Sequence, residues 1–155
     1  MKVGRITCSD RASAGVYPDA GGPEIERVFT EIWAGPVEFV ARLVPDVTAE
    51  IEAALRHLAD EAACPLIITT GGTGFAERDV TPEATRAVLH KELPGFGEIM
   101  RAHSFAVAPV SILSRATAGI RGRSLILNLP GNPKAIAQCL PPLLPAIREA
   151  LRHLA

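Results

Sequence analysis

Three glycines and two aspartates carry most of the chemistry legible in this chain. In the stretch LIITTGGTGFAERDVTPEA, from Leu66 to Ala84, Gly71, Gly72 and Gly74 surround Thr73 in a turn whose bare amides can approach a ligand closely. Such a turn suits the oxygens of a phosphate or carboxylate. Thr81 and Pro82 follow as N-cap and first helical residue, and amides leading towards a helix start form an anion site. Asp79 stands between the turn and that helix. A carboxylate there repels the anion unless a cation lies between them, and phosphate chemistry supplies one as magnesium. Asp46 is a second carboxylate at the end of a strand. By position alone it, or Thr48, is the cap of a helix whose apolar spacing runs through Val47, Ile51, Leu55, Leu58 and Ala62.

Several other chemistries are excluded by the same kind of reading. A dinucleotide fingerprint starting at Gly72 needs glycine where Glu77 stands, and no Gly-Lys pair exists to make a P-loop. A nucleophile elbow around Ser13 fails because Arg11 replaces the required glycine. Cys8, Cys64 and Cys139 include no C-x-x-C pair, so they read as reduced, mostly buried thiols and not as a zinc site. His57, His90 and His153 have no partner spacing, and His103 lies on an apolar stripe as a core or interface residue.

The elements that position these residues alternate between strands and helices. Val3–Ser9 reads as the first strand, followed by a polar loop, Ser9 to Gly15, that is either a ligand loop at a strand end or an Asx/Ser turn. Gly22 and Pro23 open a helix carrying Ile25, Val28, Phe29, Ile32 and Trp33 on one face, with Trp33 a core or subunit-contact residue. Val37 to Val44 alternates as a second strand, and Leu66 to Thr70 reads as a buried third. Helices are expected over Thr81 to Lys91 and Gly95 to Val107. Ala118–Arg121 and Ser124–Asn128 form a hairpin around Gly122 that places one antiparallel strand in an otherwise parallel sheet. A tight loop, Asn128 to Lys134, leads into a last helix that Pro141, Pro142 and Pro145 should break or kink near Pro141. The fold class is α/β, a three-layer α/β/α sandwich on a mostly parallel mixed sheet.

A chain of 155 residues with 48% hydrophobic and 21% charged residues is expected to form a single globular domain over residues 1–155. The net charge of −1 and the lack of like-charge blocks argue against nucleic acid as a partner. No apolar run approaches the roughly 20 residues needed to span a bilayer, and the N-terminus lacks a secretory apolar region, so a cytoplasmic protein away from membranes is expected.

Together these motifs closely resemble the molybdopterin adenylyltransferase family of molybdenum cofactor biosynthesis, which includes the G domain of gephyrin. TTGGTG followed by RDVTPEAT carries the resemblance, with SDRASAG at Ser9 to Gly15, LVPD at Leu43 to Asp46, PGFGE at Pro94 to Glu98, LSR at Leu113 to Arg115 and NLPGNPK at Asn128 to Lys134. Arg5 departs from it, standing where family members more often carry an apolar residue. The resemblance implies transfer of AMP from ATP to the terminal phosphate of molybdopterin, with Mg2+ accompanying ATP, in a homotrimer that meets a partner protein for molybdenum insertion. It reverses the cap reading of Asp46. Asp46 and Asp79 become catalytic and metal-holding, Gly71, Gly72, Thr73 and Gly74 bind nucleotide phosphate, and Ser9, Asp10, Ser114, Arg115, Asn132 and Lys134 line the substrate pocket. The alternative in the same fold is a non-catalytic pterin-binding or scaffold domain; the pair Asp46 and Asp79 favours the enzyme.

Overall fold

Six strands form one mixed sheet, in the spatial order Glu38–Val44, Lys2–Cys8, Leu66–Thr70, Ser124–Leu129, Ala118–Arg121 and Lys91–Glu92. The computed structural model, which describes residues 1–155, places β1 at Lys2–Cys8, β2 at Glu38–Val44, β3 at Leu66–Thr70, β4 at Lys91–Glu92, β5 at Ala118–Arg121 and β6 at Ser124–Leu129. β1, β2, β3 and β6 are parallel, while β5 runs antiparallel to both β6 and β4. The expected hairpin around Gly122 is therefore present, and β4 extends the sheet beyond it. All five residues of β3 are buried, as a central parallel strand covered on both faces requires.

The two faces of the sheet bury separate cores, which makes the three layers. Helices α2 (Gly21–Ile32), α5 (Gly95–Phe105) and α6 (Pro133–Leu154) cover one face, where Ile25, Phe29, Met100, Ile136 and Leu140 meet Leu66, Ile68, Leu125 and Leu127. Helices α3 (Thr48–Arg56) and α4 (Thr81–Val88) cover the other, where Ile51, Leu55, Ala84 and Val88 meet Ile6, Ile67 and Ile126. Alternation along each strand divides the residues between the faces. Arg5 and Thr7 point towards α2, where Asp19 answers both: Arg5 Nη1 donates to it at 2.9 Å and Thr7 Oγ1 at 2.9 Å. Glu26 of α2 accepts from Arg5 Nε at 2.7 Å. Trp33 is half-buried at the end of α2, stacked on Phe29 with ring centroids 5.4 Å apart.

Several boundaries differ from expectation for local reasons. The loop after β1 contains one helical turn, α1 (Asp10–Ser13), capped by Ser9 Oγ, which accepts from the Ala12 amide at 3.2 Å. Helix α2 begins one residue earlier than Gly22, and the Asp19 side chain caps it by accepting from Gly22 N–H at 3.0 Å. Helix α3 opens into a wider π turn over His57–Glu61. Helix α4 stops at Val88, which frees Lys91–Glu92 to pair with β5, and Pro109–Leu113 forms a short 3₁₀ helix after α5. His103 is exposed, not packed in the core.

Helix α6 runs unbroken through 22 residues despite Pro141, Pro142 and Pro145. Each proline removes a backbone donor, but Pro142 and Pro145 are exposed while Cys139, Leu140, Leu143 and Ile147 are buried against the sheet and α2. The missing bonds thus fall largely on the solvent side, where water can meet the freed carbonyls, and the packed face holds the helix together. None of the helices is long and apolar enough to cross a membrane. All three cysteines are free and buried.

Candidate active site

Parallel register gathers four chain segments at one edge of the sheet. Cys8 lies beside Val44, Thr7 beside Thr70, and Thr70 beside Leu129, so the loops starting at Ser9, Pro45, Gly71 and Pro130 leave together. In open α/β sheets this carboxyl edge is where ligands bind. Between the loops lies a cavity of about 410 Å3 whose lining includes Thr7, Ser9, Tyr17, Asp19, Gly71 and Gly72.

The glycine turn is sterically required. Gly71 has φ +93 and Gly72 φ +64, in the left-handed region that side chains disfavour. A Cβ on Gly71 would strike the Cys8 carbonyl, and one on Gly72 would strike the Thr81 hydroxyl and lie 3.0 Å from Asp46 Oδ1. Thr81 N–H donates to the Gly72 carbonyl at 3.1 Å, tying the turn to α4. Thr81 is the first helical residue and not the cap, a place taken by Val80, so its buried hydroxyl has no hydrogen-bond partner.

Asp46 is not a helix cap. Val47 occupies that position without any side-chain bond, and the Asp46 carboxylate turns back to α1. There Asp10 N–H donates to Asp46 Oδ2 at 3.0 Å, and Asp46 N–H donates to Asp10 Oδ1 at 3.0 Å. Asp46 Oδ1 is buried without a partner. Burial is the main cause that raises the Asp46 pKa above the usual carboxylate range, opposed by the Asp10 amide and reinforced by the charges of Asp10 and Asp79. Asp79 closes the loop after the glycines: its Oδ2 accepts from Ala76 N–H at 3.0 Å.

An orphaned carboxylate oxygen in a field of negative charge is a place for a cation. No cluster of three or more His, Cys, Asp or Glu side chains converges anywhere in the chain. Magnesium does not need such a cluster, since it is commonly held by one or two carboxylates plus substrate phosphates. Asp46, with one buried oxygen left without a partner, is a donor such an ion could meet.

The remaining expected residues divide between the cavity and its supports. Ser9 lines the cavity and meets the Tyr17 hydroxyl at 3.2 Å. Asn132 caps α6 by accepting from Lys134 N–H at 3.0 Å, beside Gly131 and Pro133 of the cavity wall, whereas Lys134 lies outside that wall. Asp10 is gripped by Arg78, whose Nε donates to Oδ2 at 2.9 Å and Nη2 to Oδ1 at 2.9 Å. Ser114 lies apart, in a crevice with Met100 and Cys139, and the Arg115 guanidinium is turned to the carbonyls of Gly74 and Asp79. Thr73 is buried and holds Arg115 N–H through its carbonyl at 2.8 Å.

Sequence reasoning misses Tyr17, Asp19 and Arg78. Arg78 joins Asp46, Val47, Thr48 and Val80 around a second cavity of about 360 Å3, so Asp46 borders both spaces. Its position just before Asp79 is the available signal; its partner, 68 residues away, is not visible in the sequence.

A mixed α/β sheet with a glycine turn, two carboxylates and paired cavities at its carboxyl edge defines a domain built to receive phosphorylated ligands. Residues 4–149 match the family model described as a probable molybdopterin binding domain, and the chain belongs to that family. The molybdopterin adenylyltransferase of Helicobacter pylori strain J99 is 52% identical over 147 residues, covering 95% of this chain and 84% of that protein. The Escherichia coli K12 protein of the same name is 51% identical over 140 residues, covering 90% of this chain and 72% of its own. Among solved structures, the molybdopterin biosynthesis enzyme MoaB from Thermus thermophilus superimposes with a TM-score of 0.90 at 44% identity, covering 99% of this chain and 95% of its own. MogA does so with a TM-score of 0.89 at 37% identity over 100% of both chains. The mostly parallel α/β architecture read from the sequence is the architecture of these relatives.

Proposed function

We propose that the chain is a molybdopterin adenylyltransferase of molybdenum cofactor biosynthesis, acting as a single domain that transfers the AMP moiety of ATP to the terminal phosphate of molybdopterin. The names of relatives 51–52% identical to it support the reaction. The structural observation that carries it is Asp46, a carboxylate bordering two cavities with one buried oxygen unpartnered. A binding module has no need of such a group. Two spaces on either side of it suit two phosphorylated substrates.

In the reaction, an oxygen of the terminal molybdopterin phosphate bonds to the α-phosphorus of ATP. The bond from that phosphorus to the bridging β-phosphate oxygen breaks, and pyrophosphate leaves with the electron pair. The nucleophile is already anionic near neutral pH, so no general base is required. The Gly71 amide is taken by the Leu129 carbonyl at 3.3 Å, so the amides of Gly72, Thr73 and Gly74 are the ones that hold phosphate oxygens in line, and Asp46 and Asp79 orient the nucleotide. Magnesium held by these two carboxylates and by phosphate oxygens would supply positive charge at the transferring group. Ser9 borders the substrate space, Asn132 holds the adjoining wall by capping α6, Asp10 acts through Asp46, and Lys134 is free to reach a distal phosphate.

Steady-state pyrophosphate release with molybdopterin, ATP and magnesium tests the reading. Asp79→Asn should lower turnover by at least about 10²-fold while molybdopterin still binds. A folded Asp79→Asn with wild-type turnover, or a wild type that releases no pyrophosphate, would instead favour a scaffold. The cytoplasmic location and a partner for molybdenum insertion belong to the same reading and are tested by fractionation and by capture with purified insertion protein.

A homotrimer is part of the proposal too. Ile99 and Phe105 on α5, Val107 after it, and Val110, Ile112 and Leu113 on the 3₁₀ helix are large apolar residues left exposed within fifteen positions of one another, a concentration of the kind that marks interaction surfaces. A second and third copy of the chain would cover it, and sedimentation as a monomer at micromolar concentration would exclude this assembly.

A further inference from the structure

The arginine bound to the backbone of the glycine loop, Arg115, is already occupied. A guanidinium has five N–H donors. Arg115 directs Nε to the Gly74 carbonyl at 2.6 Å and Nη2 to the Asp79 carbonyl at 2.6 Å. Its Nη1 meets Glu83 Oε1, and Nη2 also reaches Glu83 Oε2 at 3.3 Å. The Arg115 amide itself donates to the Thr73 carbonyl at 2.8 Å. At most one donor is left for any ligand. One residue therefore fastens both ends of the Thr73 to Asp79 loop to the first turn of α4.

The segment carrying Arg115 is anchored in turn. Arg101, on α5, donates through Nη1 to the Ser114 carbonyl at 3.1 Å and to the Ala116 carbonyl at 3.0 Å. Gly97 allows that approach, because any Cβ there would collide with the Ala116 carbonyl. Rigid support thus runs from α5 through residues 114–116 to the loop that holds Asp79, without touching the cavity between the strand ends.

We infer that Arg115 is a positioning residue for the adenylyl transfer proposed above: it fixes the Gly74 and Asp79 carbonyls so that the Asp79 carboxylate is held in place, and it does not bind substrate. The planar fork is what the role requires, because a single ammonium cannot meet two carbonyls and a carboxylate at once. A substrate-binding arginine would instead reveal itself in KM, because its loss weakens binding of the ground state as well as of the transition state.

Three measurements on the whole chain separate these roles. Arg115→Lys should lower kcat for pyrophosphate release about 10- to 10²-fold, as much as Arg115→Met does, with KM for ATP and for molybdopterin changed by no more than about threefold. In an Asp79→Asn background, Arg115→Lys should add less than about threefold, because residues acting as one unit are not additive. In ligand-free protein, hydrogen exchange at the Ala76 and Asp79 amides should accelerate at least about tenfold in Arg115→Lys while β3 amides keep their protection. Near wild-type kcat in Arg115→Lys, multiplicative losses in the double variant, or unchanged exchange at Ala76 and Asp79 would each overturn the inference. If wild type releases no pyrophosphate, the adenylyltransferase reading falls, whereas the exchange measurement still decides what Arg115 holds.

Discussion

Replacing Gly74 by alanine moves one carboxylate and little else. Gly74 is not among the residues with positive φ, so alanine meets no backbone penalty there. Its Cβ would lie 2.6 Å from Asp79 Oδ2 and 3.4 Å from Asp79 Cγ. Contacts of this kind are comfortable from about 3.5 Å, so the carboxylate must retreat by about 0.9 Å. A reacting group misplaced by about 1 Å can lose 10²-fold in rate, and turnover of Gly74→Ala should fall by about that factor. Stability should change far less. Weakening the Ala76 N–H to Asp79 bond costs about 0.5–1.5 kcal/mol, and the stiffer unfolded chain returns about 0.4–1 kcal/mol. The net is below about 1 kcal/mol, or less than about 4 °C in Tm for a chain of this size. Pyrophosphate release and scanning calorimetry on the same preparation give both numbers. Turnover within threefold of wild type, in a variant whose crystal structure shows Asp79 displaced, would refute the claim that the reaction depends on where that carboxylate sits.

Two further outcomes are expected. Gly72→Val should abolish ATP binding and also lower Tm by several degrees, since a β-branched residue at φ +64 must displace the Thr81 hydroxyl at the start of α4; normal ATP affinity in the surviving folded fraction, measured by calorimetric titration, would assign the glycines to the chain alone. Asp46 carries a raised pKa when folded, mainly through burial, so its contribution to stability is fully present below the ordinary aspartate value and is lost as pH rises through the higher folded value. In chelator, Asp46→Asn should flatten that slope and keep Tm at neutral pH at or above wild type, while losing the Tm gain that magnesium-ATP gives wild type. A Tm drop of the size expected for a lost helix cap, about 0.5–2 kcal/mol in stability, would restore the cap reading.

The parts of the fold set by burial were legible, and the parts set by distant partners were not. β3 could be read because a short β-branched run between Pro65 and Gly71 has few other uses. β4 could not, since Lys91 and Glu92 are exposed and show no periodicity; only their pairing with Gly119 and Ile120 makes them a strand. The proline rule fails in α6 because it weighs local hydrogen bonds and omits the packed face. At the site, the glycines and Asp79 announce themselves by spacing. Arg115 enters as a substrate residue through the family resemblance, and nothing local shows that its partners Glu83 and Gly74 lie 32 and 41 residues away. His103 satisfies a helical stripe, yet the stripe in α5 is narrower than the spacing suggests, with only Gly97, Met100 and Ser104 buried.

The exchange of amides and carboxylates between Asp10 and Asp46 joins two loops that share no sequence neighbourhood. Mechanically, the exits of β1 and β2 behave as one lever, with Arg78 pulling on the outer arm through Asp10. A shift of α1 would therefore carry Asp46 with it, together with Ala12, the residue of α1 that lines the cavity itself. If Asp46 acts as proposed, damage at Asp10 would imitate damage at Asp46, and a mutational survey that ranked positions by lost turnover would place the two side by side though Asp10 reaches the reaction through its neighbour.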